Sequence, residues 1–165
     1  MENNTHMPLT LLLFQESGHD YALNTSKIHE VICRPLVFLP SPLPNCLGSI
    51  YFDGSLVPVY PHNPHAPARN QVDNIKSIIV FRIYSENRHH WLSFKADEIK
   101  GVITVDSDKI FSNQEWPMIQ IPFFSKGLFF NRNRPVFILD PLLLLQNQMT
   151  NQPNVYETED QSIII

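Results

Sequence analysis

Charge is scarce in this chain: Asp, Glu, Lys and Arg make up 17% of its residues, and the formal net charge is −4. Without a basic surplus there is no electrostatic footprint for phosphate backbones or anionic lipid, which argues against a nucleic-acid partner and against direct membrane insertion. Glycine is scarce too, at five residues, and no G-x-S-x-G, P-loop or G-x-G-x-x-G pattern occurs. Nucleophile-elbow and phosphate-cradling chemistry therefore has no basis in the sequence. The two cysteines, Cys33 and Cys46, are too far apart for a CxxC motif and have apolar neighbours. They are expected to be reduced, partly buried thiols, which fits the cytoplasm. Long hydrophobic runs are missing as well. "LTLLLF" and "PLLLL" fall far short of the roughly 20 apolar residues of a spanning helix, and no basic segment followed by an apolar one opens the chain. The expectation is a soluble, unsecreted protein.

Metal and acid–base sites fare no better. Of seven histidines, His62 and His65 lie in a proline-rich stretch with no Cys or carboxylate at ligand spacing. The adjacent His89 and His90 would point to opposite faces of a strand. The carboxylate pairs Asp106 with Asp108 and Asp97 with Glu98 fall in expected turns, where solvation is the default. Arg132 and Arg134 flank a hairpin tip, a weak basic spot. No metal, no cofactor and no enzymatic activity are expected.

What the chain does have is apolar strand and proline. Its 165 residues are 43% hydrophobic, with 11 Phe and 14 Pro, and a single domain of that size buries roughly 70% of its unfolded surface. "LTLLLFQ" (9–15), a turn on Gly18 and "YALN" read as a hairpin. In "SKIHEVI" (26–32) periodicity leaves helix and strand both open. Prolines at 35, 40, 42 and 44 keep the next segment extended or turning. "GSIYFDGSLVPVYP" (48–61) reads as a tight β-hairpin. Asp53 faces solvent at a strand end, Gly54 takes the positive-φ position, and Pro58 is confined to an edge or bulge. "PHNPHAPARNQ" is a linker stiffened toward polyproline II. Beyond it come a buried strand (75–84), a turn in "SENRHH", an extended stretch (91–105) interrupted near Gly101, and a hairpin (127–140) turning at Asn131–Asn133. "DPLLLLQNQ" is helical, with Asp140 as cap and Pro141 in the first turn. From Met149 the chain turns polar and reads as a tail, with "III" as a frayed end.

The order of these segments resembles the CheW-like coupling domain of bacterial chemotaxis, from about Leu11 to Leu145. The matching residues are "LLLF", "YALN" and "KIHEVI", the last resembling the family's V-x-E-V/I at Ile28, Glu30 and Val31. Pro40, "LGSI", Gly54 and "VPV" (57–59) follow. In the second half "IKSIIVFR", "ADEIKGV", "KGL" (126–128) and "VFILD" (136–140) continue in register. The resemblance implies an all-β fold of two intertwined five-stranded SH3-like barrels with a short C-terminal helix. The domain is expected over 9–146, with a first barrel at about 9–61, a link at 61–71, a second barrel at about 72–140, a helix at 141–147, and tails at 1–8 and 148–165. It also implies a non-catalytic cytoplasmic adaptor whose partners are a chemoreceptor cytoplasmic tip and the regulatory domain of a chemotaxis-type histidine kinase. Carried over by position, the candidate partner-binding residues are Ile28, Glu30, Val31, Ile50, Phe52, Asp53, Gly54 and Asp97. Two departures stand out: the family's Arg before the second glycine is Asp53 here, and "YPHNPHAP" replaces the family's Asp-Leu and short helix. Asp53 points to altered partners. A reading from a different class is a β-barrel that binds a small apolar ligand, or an enzyme built on one, with Phe side chains lining a cavity.

Overall fold

Tight turns set the strand pairing. In this computed structural model the residues described are 7–34, 36–40, 46–61, 75–116 and 124–150, with side chains described through 146. His62, His65, nearly all of the proline link and most of both expected tails lie outside them. The strands are β1 (Leu9–Glu16), β2 (His19–Asn24), β3 (Ile28–Ile32), β4 (Phe38–Leu39), β5 (Gly48–Phe52) and β6 (Ser55–Tyr60). They continue with β7 (Ser77–Ser85), β8 (Arg88–Ala96), β9 (Glu98–Val105), β10 (Ser125–Asn131) and β11 (Arg134–Leu139), and helix α1 (Pro141–Thr150) closes the series. Among the described residues four hairpins turn on two residues each: Ser17-Gly18, Asp53-Gly54, Glu86-Asn87 and Arg132-Asn133. All eight residues have positive φ, the signature of type I′ turns, whose twist matches that of the flanking strands.

The strands form two sheets, one of five in the order β10-β11-β2-β1-β9 and one of six in the order β3-β7-β8-β6-β5-β4. These sheets do not follow the expected halves 9–61 and 72–140. The N-terminal hairpin joins the C-terminal strands, because β11 runs parallel to β2 with Phe137 opposite Tyr21. Likewise β6 runs parallel to β8 with Val59 opposite Ser93, so strands from both halves share the second sheet. The sixth strand is the two-residue β4, which adds to β5 through Phe38 opposite Ile50. The segment left open between helix and strand is β3, paired antiparallel with β7. The break expected near Gly101 falls instead at Asp97, where the chain leaves the second sheet as β8 and enters the first as β9. Gly101 lies inside β9, at the register shift against β1 and with φ +119.

Both sheets curl. Laid flat, β3 and β5 would stand about 19 Å apart, four spacings of about 4.8 Å. His29 on β3 nevertheless meets Phe52 on β5 with ring centroids 5.8 Å apart. In the first sheet, the segment after β9 returns to β10, where Phe111 and Leu128 exchange backbone hydrogen bonds of 2.8 and 3.0 Å. Gly127 makes that approach possible, since a Cβ there would stand 2.8 Å from the Phe111 carbonyl oxygen.

Among the described residues the core accordingly has three parts. Leu11, Leu13, Ala22, Phe129, Val136 and Ile138 fill the inside of the first sheet. Ile32, Ile50, Val57, Val59, Ile78 and Val80 fill the second. Between the sheets lies the largest cluster, with Phe14, Tyr21, Phe81, Phe94, Phe124 and Phe137 among its members. Consecutive residues such as Ile78 and Ile79, or Leu13 and Phe14, thus face different cores, which explains apolar runs where a half-solvated strand would alternate. A fully buried Phe or Leu contributes roughly 1.5–3 kcal/mol. Helix α1 starts as expected: the Asp140 carboxylate accepts from the Leu142 N–H at 2.9 Å, with Pro141 at the first helical position. It runs to Thr150, three residues past the expected end.

Candidate partner-binding surface

The curl of the second sheet brings β3 beside the β5–β6 hairpin, so most of the residues singled out from sequence come within one neighbourhood. Against β7, Ile28 pairs with Phe81 and Glu30 with Val80, leaving His29 as the extra residue of a β-bulge. Bulges re-aim side chains, and the His29 ring stands edge-on to Trp91 at 4.9 Å as well as to Phe52. Phe52 and Trp91 complete the triangle at 5.5 Å. Ile28 and Val31 are half-buried against the inter-sheet core, and Glu30 is exposed.

Ile50 offers no surface to a partner. It is 0% exposed within the second core, because its position in β5 faces inward opposite Val57 and Phe38. The side chain that does face outward is its neighbour Tyr51, 65% exposed and paired across the hairpin with Leu56, 60% exposed. Leu39 on β4 extends this apolar strip. Alternation along β5 was the available signal: once Ile50 and Phe52 point inward, Tyr51 must point out.

Asp53 and Gly54 form the hairpin tip, with φ of +47 and +76. Asp-Gly is among the best sequences for a type I′ turn because both positions are left-handed. The acidic residue therefore has a conformational reason to be there. Asp97 lies away from this neighbourhood, where the chain passes between sheets. Its carboxylate accepts from the Ser17 N–H at 2.7 Å, and its own N–H donates to the Gln15 carbonyl at 2.8 Å. It braces the first hairpin.

The same end of the molecule holds the buried charges. Glu16 on β1 pairs with Lys95 on β8 at 3.6 Å, linking the two sheets. Asp20 takes Lys100 at 3.1 Å and Arg134 at 3.5 Å. Burial, aided by the Glu16 charge, raises the Tyr21 pKa far above the usual phenol value. Burial also pushes Tyr60 up to about 12, with a smaller contribution from Cys46. Both cysteines are free, and Cys33 is exposed rather than partly buried. No group of three or more His, Cys, Asp or Glu is placed to hold a metal ion among the described residues. No helix among the described residues is long and apolar enough to cross a membrane. Within the inter-sheet core Phe81 packs on Phe94 at 4.9 Å, and Phe94 on Phe124 at 5.6 Å.

Two interleaved, curled sheets share one core and carry apolar strips on the outside. The family model of the CheW-like domain matches residues 10–149, and the chain belongs to that family, the scaffold and adaptor class of chemotaxis. Among solved structures it is similar to the scaffolding protein TtCheW from Thermoanaerobacter tengcongensis, with a TM-score of 0.61 and 19% identity over 81% of this chain and 90% of that one. No curated protein matches the chain.

Proposed function

We propose that this chain is a non-catalytic cytoplasmic adaptor that joins a chemoreceptor tip to the regulatory domain of a chemotaxis-type histidine kinase. The observation that carries this reading is the match to the CheW-like domain along 10–149. The contact surface we assign is the rim where β3 meets the β5–β6 hairpin: Ile28, Glu30, Val31, Phe52, Asp53 and Gly54, with Tyr51 and Leu56 beside them. Ile50 supports that rim from within, and Asp97 acts by holding the first hairpin in place. An apolar centre with a polar margin is the anatomy of a protein interface. Individually small contacts of this kind act together when many copies are arrayed, as two-site binding raises effective concentration.

The partners would meet a carboxylate at the hairpin tip. Asp53→Asn tests that directly, since Asn tolerates a left-handed backbone and only the charge is lost. Asp53→Arg would mix charge reversal with turn strain. Measured by co-purification with receptor tips and with the kinase regulatory domain, Asp53→Asn should alter capture of at least one partner while leaving the melting temperature unchanged. Failure of the unaltered chain to capture either partner would sink the adaptor reading.

A further inference from the structure

Arg82 is an exposed cation held in place by an aromatic support. It sits on β7 directly opposite Trp91 of β8, and its guanidinium carbon stands 5.4 Å from the centroid of the indole ring. Trp91 is itself fixed by His29 and Phe52. One register step of the same face further along, Tyr84 packs on His89 at 5.0 Å. No carboxylate within ion-pair distance of Arg82 is found among the described residues. A guanidinium lying on a ring keeps its planar N–H fork free at the edge, and that fork matches a carboxylate in a two-point contact. Stacking has already restricted the side chain, so less rotamer entropy remains to be lost on binding.

We propose that Arg82 on Trp91, with His29, Phe52, Tyr84 and His89, is a docking strip for an acidic segment of a partner protein, Arg82 gripping a Glu or Asp carboxylate while the rings cover neighbouring apolar side chains. This rests on the adaptor reading and names the chemistry of one partner at the same rim. Charge complementarity selects the occupant: the Arg82 fork engages no carboxylate among the described residues and matches a Glu or Asp side chain of a partner. Aromatic rings with an arginine can also stack nucleobases, but the strip's single cation is not the positively charged groove that tracks a phosphate backbone.

The two tryptophans make the test direct, because Trp116 lies in a separate cluster with Phe111 and Phe130 and serves as an internal control. The full chain, labelled with 15N, is titrated with a short peptide of alternating Glu and Leu, then with its Gln and Leu counterpart, and the two indole N–H signals are followed. The Trp91 signal should move with the Glu peptide and the Trp116 signal should not. The affinity should fall about tenfold in Arg82→Gln, the scale of one charge-assisted contact, and by less in Arg82→Lys. Equal response to both peptides overturns the proposal, as does a larger response to a short oligodeoxythymidine. Movement of the Trp91 signal on simple concentration of the protein would assign the strip to a second copy of the chain and overturns it too. The adaptor reading is judged separately. Capture of receptor and kinase that is indifferent to Arg82→Gln defeats the acidic-segment assignment alone, whereas loss of all capture with an intact Trp91 response defeats the adaptor reading alone.

Discussion

The two ends of this molecule spend their charged residues differently. Where β8 passes into β9, the charges other than exposed Glu98 are taken up by the fold: Glu16 holds Lys95, Asp20 holds Lys100 and Arg134, and Asp97 caps the turn at Ser17. At the rim of the second sheet, Glu30, Asp53 and Arg82 are exposed, and no ion pair engages them among the described residues. A charge already satisfied inside the protein contributes to stability. One left facing water, over a ring or at a turn tip, remains available to a partner. Removing charges at the first end should therefore change folding, and removing them at the second should change binding.

The largest effect is expected at the Glu16–Lys95 pair, with side-chain exposures of 2% and 7%. Lys95→Met leaves the Glu16 carboxylate buried without that cation, and breaking a buried pair costs about 3–5 kcal/mol. Urea unfolding should show that loss, and the double variant Glu16→Gln with Lys95→Met should recover much of it. If Lys95→Met is as stable as the unaltered chain, the contrast between the two ends fails at its strongest point.

Much of this architecture was legible in the chain, and the parts that were not share a cause. Gly18, Gly54 and the Asn131–Asn133 stretch marked hairpins, because a two-residue turn writes its demand for positive φ into local sequence. Asp140-Pro141 marked the helix start for a similarly local reason. The pairing of β2 with β11 and of β6 with β8 could not be read, since it joins segments distant in sequence through a register that only packing fixes. For β3, pairing with β7 decided a choice that periodicity left open. Family position marks Ile50 as a contact, yet its alternation with Tyr51 already favours the core. Arg82 carries no signal in the sequence, because an arginine in a strand looks like solvated surface until the fold sets Trp91 beneath it.

A smaller effect concerns alkaline pH. In the unfolded chain a tyrosine loses its proton near pH 10.0, whereas folded Tyr60 holds on until about 12, and Tyr21 shifts in the same direction. Between those limits the unfolded state binds fewer protons than the folded one, so stability falls with rising pH. The contribution of these two side chains is complete below pH 10 and is lost above it, at about 1.4 kcal/mol per pH unit for each. Tyr60→Phe should make the fall shallower by that amount between pH 10 and 12, measured as the urea midpoint against pH. Both tyrosines belong to the inter-sheet core, so an unchanged slope would mean that this core is wetter than its packing implies.

The smallest effect separates the two ends most sharply, because it compares single charged side chains at each. Asp97→Ala removes a 2.7 Å hydrogen bond to the Ser17 N–H and leaves that donor at the surface, where water replaces it in part, so a loss of about 1 kcal/mol is expected. Arg82→Gln removes a guanidinium with no carboxylate partner in ion-pair reach among the described residues and loses its contact with the Trp91 ring, so a cost of about 0.5 kcal/mol, the low end for an exposed cation–π pair, is expected. Binding should rank them the other way, with partner capture weakened by Arg82→Gln and preserved in Asp97→Ala wherever the protein remains folded. Should Asp97→Ala abolish capture at unchanged stability, the corner between the sheets would itself be a contact, and the boundary drawn between charges that hold the fold and charges that meet a partner would have to move.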